Sequence, residues 1–155
     1  MYVDIEGCWS NTILLEVKLL AIISELYYTM TGEDSRFDYQ AYYDISYEKG
    51  RRLLEAGCVF SDFGTRRRAS FEAEDVAVRA MKACSHDNNW PGKFVGTSNV
   101  YLAMKHDLLP VGTMAHDFVC AIGGMFCPQM ANQLAMNSWR NTFRGTLGTY
   151  LYDSL

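Results

Sequence analysis

Three arginines, Arg66, Arg67 and Arg68, stand side by side directly after "VFSDFGT" in a chain of net charge −4. Adjacent like charges repel, so the run calls for a negative group nearby. A guanidinium presents a planar fork of N–H donors that matches a carboxylate or phosphate, and anion binding is the chemistry it suits. A solvated surface run is the plainer account of a charge cluster, but the setting favours the ligand. Gly64-Thr65 is the first of three Gly-Thr pairs, followed by Gly96-Thr97 and Gly112-Thr113, each between a strand-like and a helix-like segment. Backbone N–H groups at such turns and at helix N-termini hold anions. Ser98 and Asn99 follow the second pair, where either caps a helix or meets a ligand. His116 follows the third, and a neutral imidazole is a workable nucleophile near neutral pH. His86, in a polar loop, and His106, at a short helix end, read as structural. Asp153 closes "LGTYLYD" and would bring a carboxylate suited to Mg²⁺ to the same end of the molecule.

The elements that position these residues follow from pattern and punctuation. "MYVDIEG" reads as a short strand ending at Gly7. A helix capped by Ser10 or Asn11 runs to about Met30, with Gly32 beyond it. That helix is apolar nearly all round, which predicts contacts on more than one side. A second covers roughly Tyr39 to Ala56, stops at Gly57 and carries Glu48 and Arg52 as an i,i+4 pair. Strands at "CVFSDF", "KFVGT" and "LLPVGT" then alternate with helices at "SFEAEDVAVRAMKAC", capped by Ser70, and "SNVYLAMKHD". Helical sequence follows from "AHDFVCAIGGM" through "CPQMANQLAMNSWRNTF", with Pro128 suited to a helix start, and "LGTYLYD" reads as a fourth strand. Alternating strands and helices predict parallel βα units, whose ligands bind at the carboxyl ends of the strands.

The bulk properties exclude several classes. An acidic chain is a poor non-specific nucleic-acid binder. The most apolar segment, "NTILLEVKLLAIISELYY", is interrupted by Glu16, Lys18 and Glu25, which reads as a helix rather than a membrane span. Cys8, Cys58, Cys84, Cys120 and Cys127 are an odd set without C-x-x-C spacing. Four lie in apolar or helical runs, where cysteine behaves as a small buried hydrophobe, so reduced thiols and a cytoplasmic setting are expected.

The segments "EGCWSNTILLEVKLLAIISELYY", "DFGTRRRASFE", "FVGTSNVYLAMKHDLLPVGTMAHDF" and "MANQLAMNSWRNTFRGTLGTYLYDSL" occur in the order and spacing of nicotinate phosphoribosyltransferase, which the sequence resembles over nearly its whole length. Cys8 and Lys18 stand where bacterial relatives usually have proline, Asp117 where they have glutamate and Phe118 where they have tryptophan. The resemblance implies a cytoplasmic enzyme of NAD salvage that joins nicotinate to 5-phosphoribosyl 1-diphosphate with ATP hydrolysis, and works as a homodimer when complete. ATP and Mg²⁺ are implied, with no tightly bound cofactor, no nucleic acid and no membrane.

The implied fold is α/β: residues 1–57 as a strand and two helices of an N-terminal domain, and 58–155 as the first half of an irregular parallel barrel. The chain would then be a middle segment. The implied roles place Phe63 and Arg66 near the base, Arg67 and Arg68 at anionic groups, and Ser98 and Thr113 at substrate. His116 is implied as the phosphorylated histidine, and Asp153 as a partner of Mg²⁺ or ribose hydroxyls. The full "DFGTRRR" run fits the nicotinate enzyme better than the nicotinamide one, and His116 argues against the quinolinate enzyme. A non-catalytic α/β fragment that binds anions or partner chains is the alternative from another class.

Overall fold

The structure, a computed structural model, describes residues 3–13, 15–87 and 89–151. It comprises two compact units, residues 1–111 and 112–155. The first opens on irregular chain, because Val3–Glu6 lie outside any strand and the expected N-terminal strand is absent among the described residues. Helix α1 (Trp9–Thr12) starts at Cys8, with no side-chain cap from Ser10 or Asn11. It is separate from α2 (Leu15–Thr31). The Thr12 hydroxyl donates back to the carbonyls of Cys8 and Trp9 at 3.3 Å each, an arrangement that weakens helix propagation. Helix α2 ends before Gly32, whose φ of +71° suits a residue without Cβ.

The expectation that α2 is packed on several sides is overturned. Only Ala21 is buried, while Val17, Ile22, Leu26, Tyr27 and Met30 are exposed. Helix α3 (Tyr39–Glu55) is capped by Asp38, whose carboxylate accepts from the N–H groups of Gln40 and Ala41. Its ion pairs run through Arg51 rather than Arg52, to Glu48 at 2.7 Å and Glu55 at 2.8 Å. Arg51 stands one turn from both acids and pairs with the two together.

Strands β1 (Val59–Asp62), β2 (Lys93–Thr97) and β3 (Leu109–Pro110) form one parallel sheet in the order β1-β2-β3. Helix α4 (Phe71–Asp87) connects β1 to β2, and α5 (Val100–Lys105) connects β2 to β3. The Ser70 hydroxyl caps α4 by accepting from Ala73 N–H at 3.0 Å, as the sequence predicted. Ser46, Gly50 and Leu54 form a buried stripe on α3 at i, i+4, i+8, and α3 lies along α4. The small residues permit this close approach, and Tyr47 fastens it by donating to Asp87 at 2.7 Å. Leu54, Val76, Val78, Cys84, Phe94 and Leu102 supply much of the core of this unit.

The second unit pairs α6 (His116–Met125) with α7 (Ala131–Phe143), α7 being preceded by a tight turn at Pro128–Met130. Met114, Val119, Ile122, Ala131 and Ala135 form its core, with Phe118, Trp139 and Tyr150 packed against it. The predicted fourth strand does not form among the described residues: 147–151 are irregular and contribute one backbone bond, Met114 N–H to the Thr149 carbonyl at 3.2 Å. Alternation alone makes no strand without a neighbouring ladder. Of the five cysteines, all free, only Cys84 is buried, while Cys8 and Cys120 are exposed. Among the described residues no helix is long and apolar enough to cross a membrane.

Gly96 is where β2 and β3 touch most closely. A Cβ there would stand 1.9 Å from the Leu109 carbonyl oxygen, a backbone atom that cannot swing away. Gly96→Ala should therefore cost roughly 2–3 kcal/mol in urea unfolding. Gly124→Ala, whose methyl meets nothing within 4 Å inside α6, should be neutral or stabilising by up to about 1 kcal/mol. Equal effects of the two would contradict the contact.

Candidate functional site

Parallel strands bring the segments after β1 and β2 to the same end of the sheet, and Asp62, the last residue of β1, ties them together. Its Oδ1 accepts from Gly64 N–H at 3.1 Å, its Oδ2 from the Thr97 hydroxyl at 2.7 Å, and its carbonyl from Ser98 N–H at 2.8 Å. Thr97, fully buried, passes the bond on by accepting from Asn99 N–H at 3.1 Å. Burial pushes the Asp62 carboxyl above its ordinary value; the Thr97 and Gly64 bonds oppose the rise, and the charge of Glu74 adds to it.

Glu74, in the first turn of α4, lies at the centre of a second set of bonds, with a side chain only 2% exposed. Its Oε1 accepts from the Thr65 hydroxyl at 2.5 Å, and its Oε2 from Arg68 Nη1 at 2.9 Å and Asn99 Nδ2 at 3.2 Å. Asn99 also donates to Thr65 Oγ1 at 3.3 Å while its own Oδ1 caps α5 through Leu102 N–H. Three side chains from two separate stretches of sequence thus share one buried carboxylate.

Gly64 leads into a 3₁₀ turn at Thr65–Arg67, and the three arginines meet different fates. Arg68 turns inward, with Glu25 as a second carboxylate at 3.5 Å, the Phe71 ring 5.1 Å from its guanidinium carbon, and its backbone carbonyl bound by the Ser24 hydroxyl. Arg66 is half-exposed and pairs with Glu16 on α2 at 2.9 Å. Arg67 is exposed and makes no ion pair with any described residue. Phe63 is exposed on the same loop. Ser98 is half-buried beside these groups, and the cap of α5 is Asn99.

Thr113 and His116 belong to the second unit. Thr113 is half-buried ahead of α6, and His116 is the exposed first residue of that helix, beside Asp117. Asp153 lies outside the described residues. His106 is held by Asp75 at 2.7 Å, with Lys105 on the other oxygen at 2.9 Å, which makes it a structural residue of the α4–α5 packing. His86 sits in the last turn of α4 rather than in a loop. Among the described residues no three His, Cys, Asp or Glu side chains gather as metal ligands.

Residues 58–155 match the model of the Nicotinate phosphoribosyltransferase (NAPRTase) family. The chain belongs to that family. It is 40% identical to the nicotinate phosphoribosyltransferase of Chromohalobacter salexigens over 151 residues, covering 97% of this chain and 37% of that protein. The nicotinate phosphoribosyltransferase of Saccharomyces cerevisiae is 36% identical over 142 residues, 90% of this chain and 33% of that one. Among solved structures, the Porphyromonas gingivalis nicotinate phosphoribosyltransferase superposes with a TM-score of 0.81 at 37% identity, over 92% of this chain and 35% of that chain. The chain therefore spans just over a third of the length of the relatives it matches.

The family motif made Arg66–Arg68 legible, but Glu74 and Asp62 passed unnoticed. In the sequence Glu74 is one of several acids that suit a helix N-terminus. The available signal is a buried-face position: Glu74 lies four residues, one helical turn, before Val78, a core residue.

The Asp75 cluster carries a pH dependence of known sign. Burial raises its carboxyl, but bonds and charge from Lys105 and His106 outweigh that and hold it below the ordinary value. The contribution is present above the unfolded value of about 3.9 and is lost as pH falls through the lower folded value. Asp75→Asn should destabilise by roughly 2 kcal/mol at pH 7. Its deficit against wild type should shrink when urea unfolding is repeated below about pH 3. A deficit independent of pH would refute the assignment.

Proposed function

We propose that this chain is a segment of an ATP-coupled nicotinate phosphoribosyltransferase, which makes nicotinate mononucleotide from nicotinate and 5-phosphoribosyl 1-diphosphate in NAD salvage. The observation that carries the reading is the loop of Phe63–Arg68, in a chain of this family, held beside Thr97–Asn99 at the carboxyl end of a parallel sheet with Arg66 and Arg67 reaching solvent. Residues 1–57 then belong to an N-terminal domain and 58–155 to the first half of a parallel α/β barrel. The complete enzyme is a cytoplasmic homodimer, and the uncovered apolar face of α2 supports further contacts there.

In this reading Arg66 grips the nicotinate carboxylate with two parallel N–H bonds, Phe63 packs on the pyridine ring, and Arg67 meets phosphate oxygens. Ser98 and Thr113 line the substrate. The His116 imidazole attacks the γ-phosphorus of ATP, the bond to the β-phosphate oxygen breaks, and ADP leaves. The phosphoimidazole stores the energy that drives nucleotide formation and is hydrolysed in the cycle. Mg²⁺ enters with the phosphates, and Asp153 is the residue proposed to meet it or the ribose hydroxyls.

Two experiments on the complete protein carrying this chain test the reading. By calorimetry, Arg66→Ala should weaken nicotinate binding by roughly 2–5 kcal/mol, whereas Arg51→Ala, on an exposed helix face, should change it by less than about 0.5 kcal/mol. Binding of nicotinamide or quinolinate in preference to nicotinate would move the assignment to a sister enzyme. Labelled ATP, handled at mildly alkaline pH to spare an acid-labile phosphoimidazole, should mark His116 in peptide maps. Label on His86 or His106, or label unchanged in His116→Asn, would end the His116 assignment.

A further inference from the structure

The three arginines are not equivalent, and the difference traces to Glu74. Arg68 is 15% exposed, and its guanidinium is shared among Glu74, Glu25 and the Phe71 face. Its Nε is buried without a hydrogen-bond partner among the described residues. A side chain so enclosed has little surface to offer a ligand. Glu74 meanwhile holds Thr65, the first residue of the turn carrying Arg66 and Arg67, and Asn99, two residues beyond Thr97. The Asp62 bonds fix only the other sides of both loops, through Gly64 and Thr97.

We propose that Glu74 is the positioning residue of the arginine loop. By drawing Arg68 and Thr65 inward and clasping Asn99, it leaves Arg66 and Arg67 as the cations that meet a carboxylate or phosphate. This rests on the function proposed above and deepens it, since it divides the arginine run into one structural counter-ion and two ligand-facing groups. Glu74 touches no ligand in this arrangement. The buried charge is tolerated because Arg68 matches it, and the two form a unit that cannot be dismantled from one side.

The same unit supplies the test. In the complete protein, Glu74→Met leaves Arg68 buried without its main counter-ion, while the double variant E74M/R68M replaces the pair with apolar side chains of similar length. Exchanging a buried ion pair for hydrophobic residues commonly restores stability. The melting temperature should therefore fall in E74M and recover in the double variant. Binding of nicotinate and of inorganic phosphate, measured well below the melting transitions, should weaken at least about tenfold in both, because Thr65 and Asn99 stay unheld. Arg68→Met should also melt lower, since it strands the Glu74 charge, but below its transition it should bind both probes within about threefold of wild type, because Thr65 and Asn99 keep their bonds to Glu74.

Recovery of binding together with the melting temperature in E74M/R68M would overturn the proposal, reducing Glu74 to charge balance. A tenfold loss in R68M alone would also overturn it, by making Arg68 a ligand. Wild-type protein that binds phosphate but not nicotinate would refute the proposed substrate while leaving the Glu74 comparison to be judged on phosphate. Binding of neither probe would refute both.

Discussion

A carboxylate with almost no access to water governs the β-strand end of this molecule. Removing a charge from water is expensive unless it is matched and hydrogen-bonded. Glu74 meets that condition through Thr65, Arg68 and Asn99, drawn from the turn after β1 and the cap of α5. Each partner is thereby constrained in turn. The arginine-bearing turn cannot drift from α4, and α5 cannot start elsewhere, without stranding a charge in the interior. The position of the loops is thus enforced by an electrostatic penalty.

Asp62 works beside it with different chemistry. Its acceptors are met by backbone N–H groups and one hydroxyl, with no cation in contact among the described residues, and the nearby negative charge of Glu74 adds to the burial that raises its carboxyl. Two acids of one sign therefore share this end of the sheet, one matched by arginine and the other by neutral donors. Arg66 and Arg67 set positive charge at the rim of this arrangement. The Glu16 carboxylate already seated on Arg66 shows that its guanidinium accepts such a partner at ordinary hydrogen-bond distance.

Much of this was legible in the sequence, for local reasons. "KFVGT" becomes β2 over its whole length. Helices stop at Gly32 and Gly57, where φ is +71° and +76°, because only a residue without Cβ takes that turn freely. Ser70 caps α4, since a hydroxyl ahead of an acidic first turn satisfies orphan N–H groups. What escaped depends on partners distant in sequence. Asn99 is 25 residues from Glu74, so no local pattern announces their bond. Among the described residues the fourth strand does not form, because a strand is made by its neighbour, and α2 is largely uncovered, because an apolar helix is buried only if something lies over it. Arg68 and its two neighbours look identical in sequence and differ only in which carboxylate each can reach.

The face of α2 carries one further consequence. Ile22, Leu26, Tyr27 and Met30 stand in water along one side of the helix, and the chain's net charge of −4 gives only modest mutual repulsion between copies. The exposed side of this helix therefore lowers the colloidal stability of the isolated chain. Concentrated samples should be short of solubility, and salt, which screens what repulsion exists, should make them shorter still. The polar substitutions that would improve handling are those along α2, far in sequence from the arginine turn and chemically independent of it.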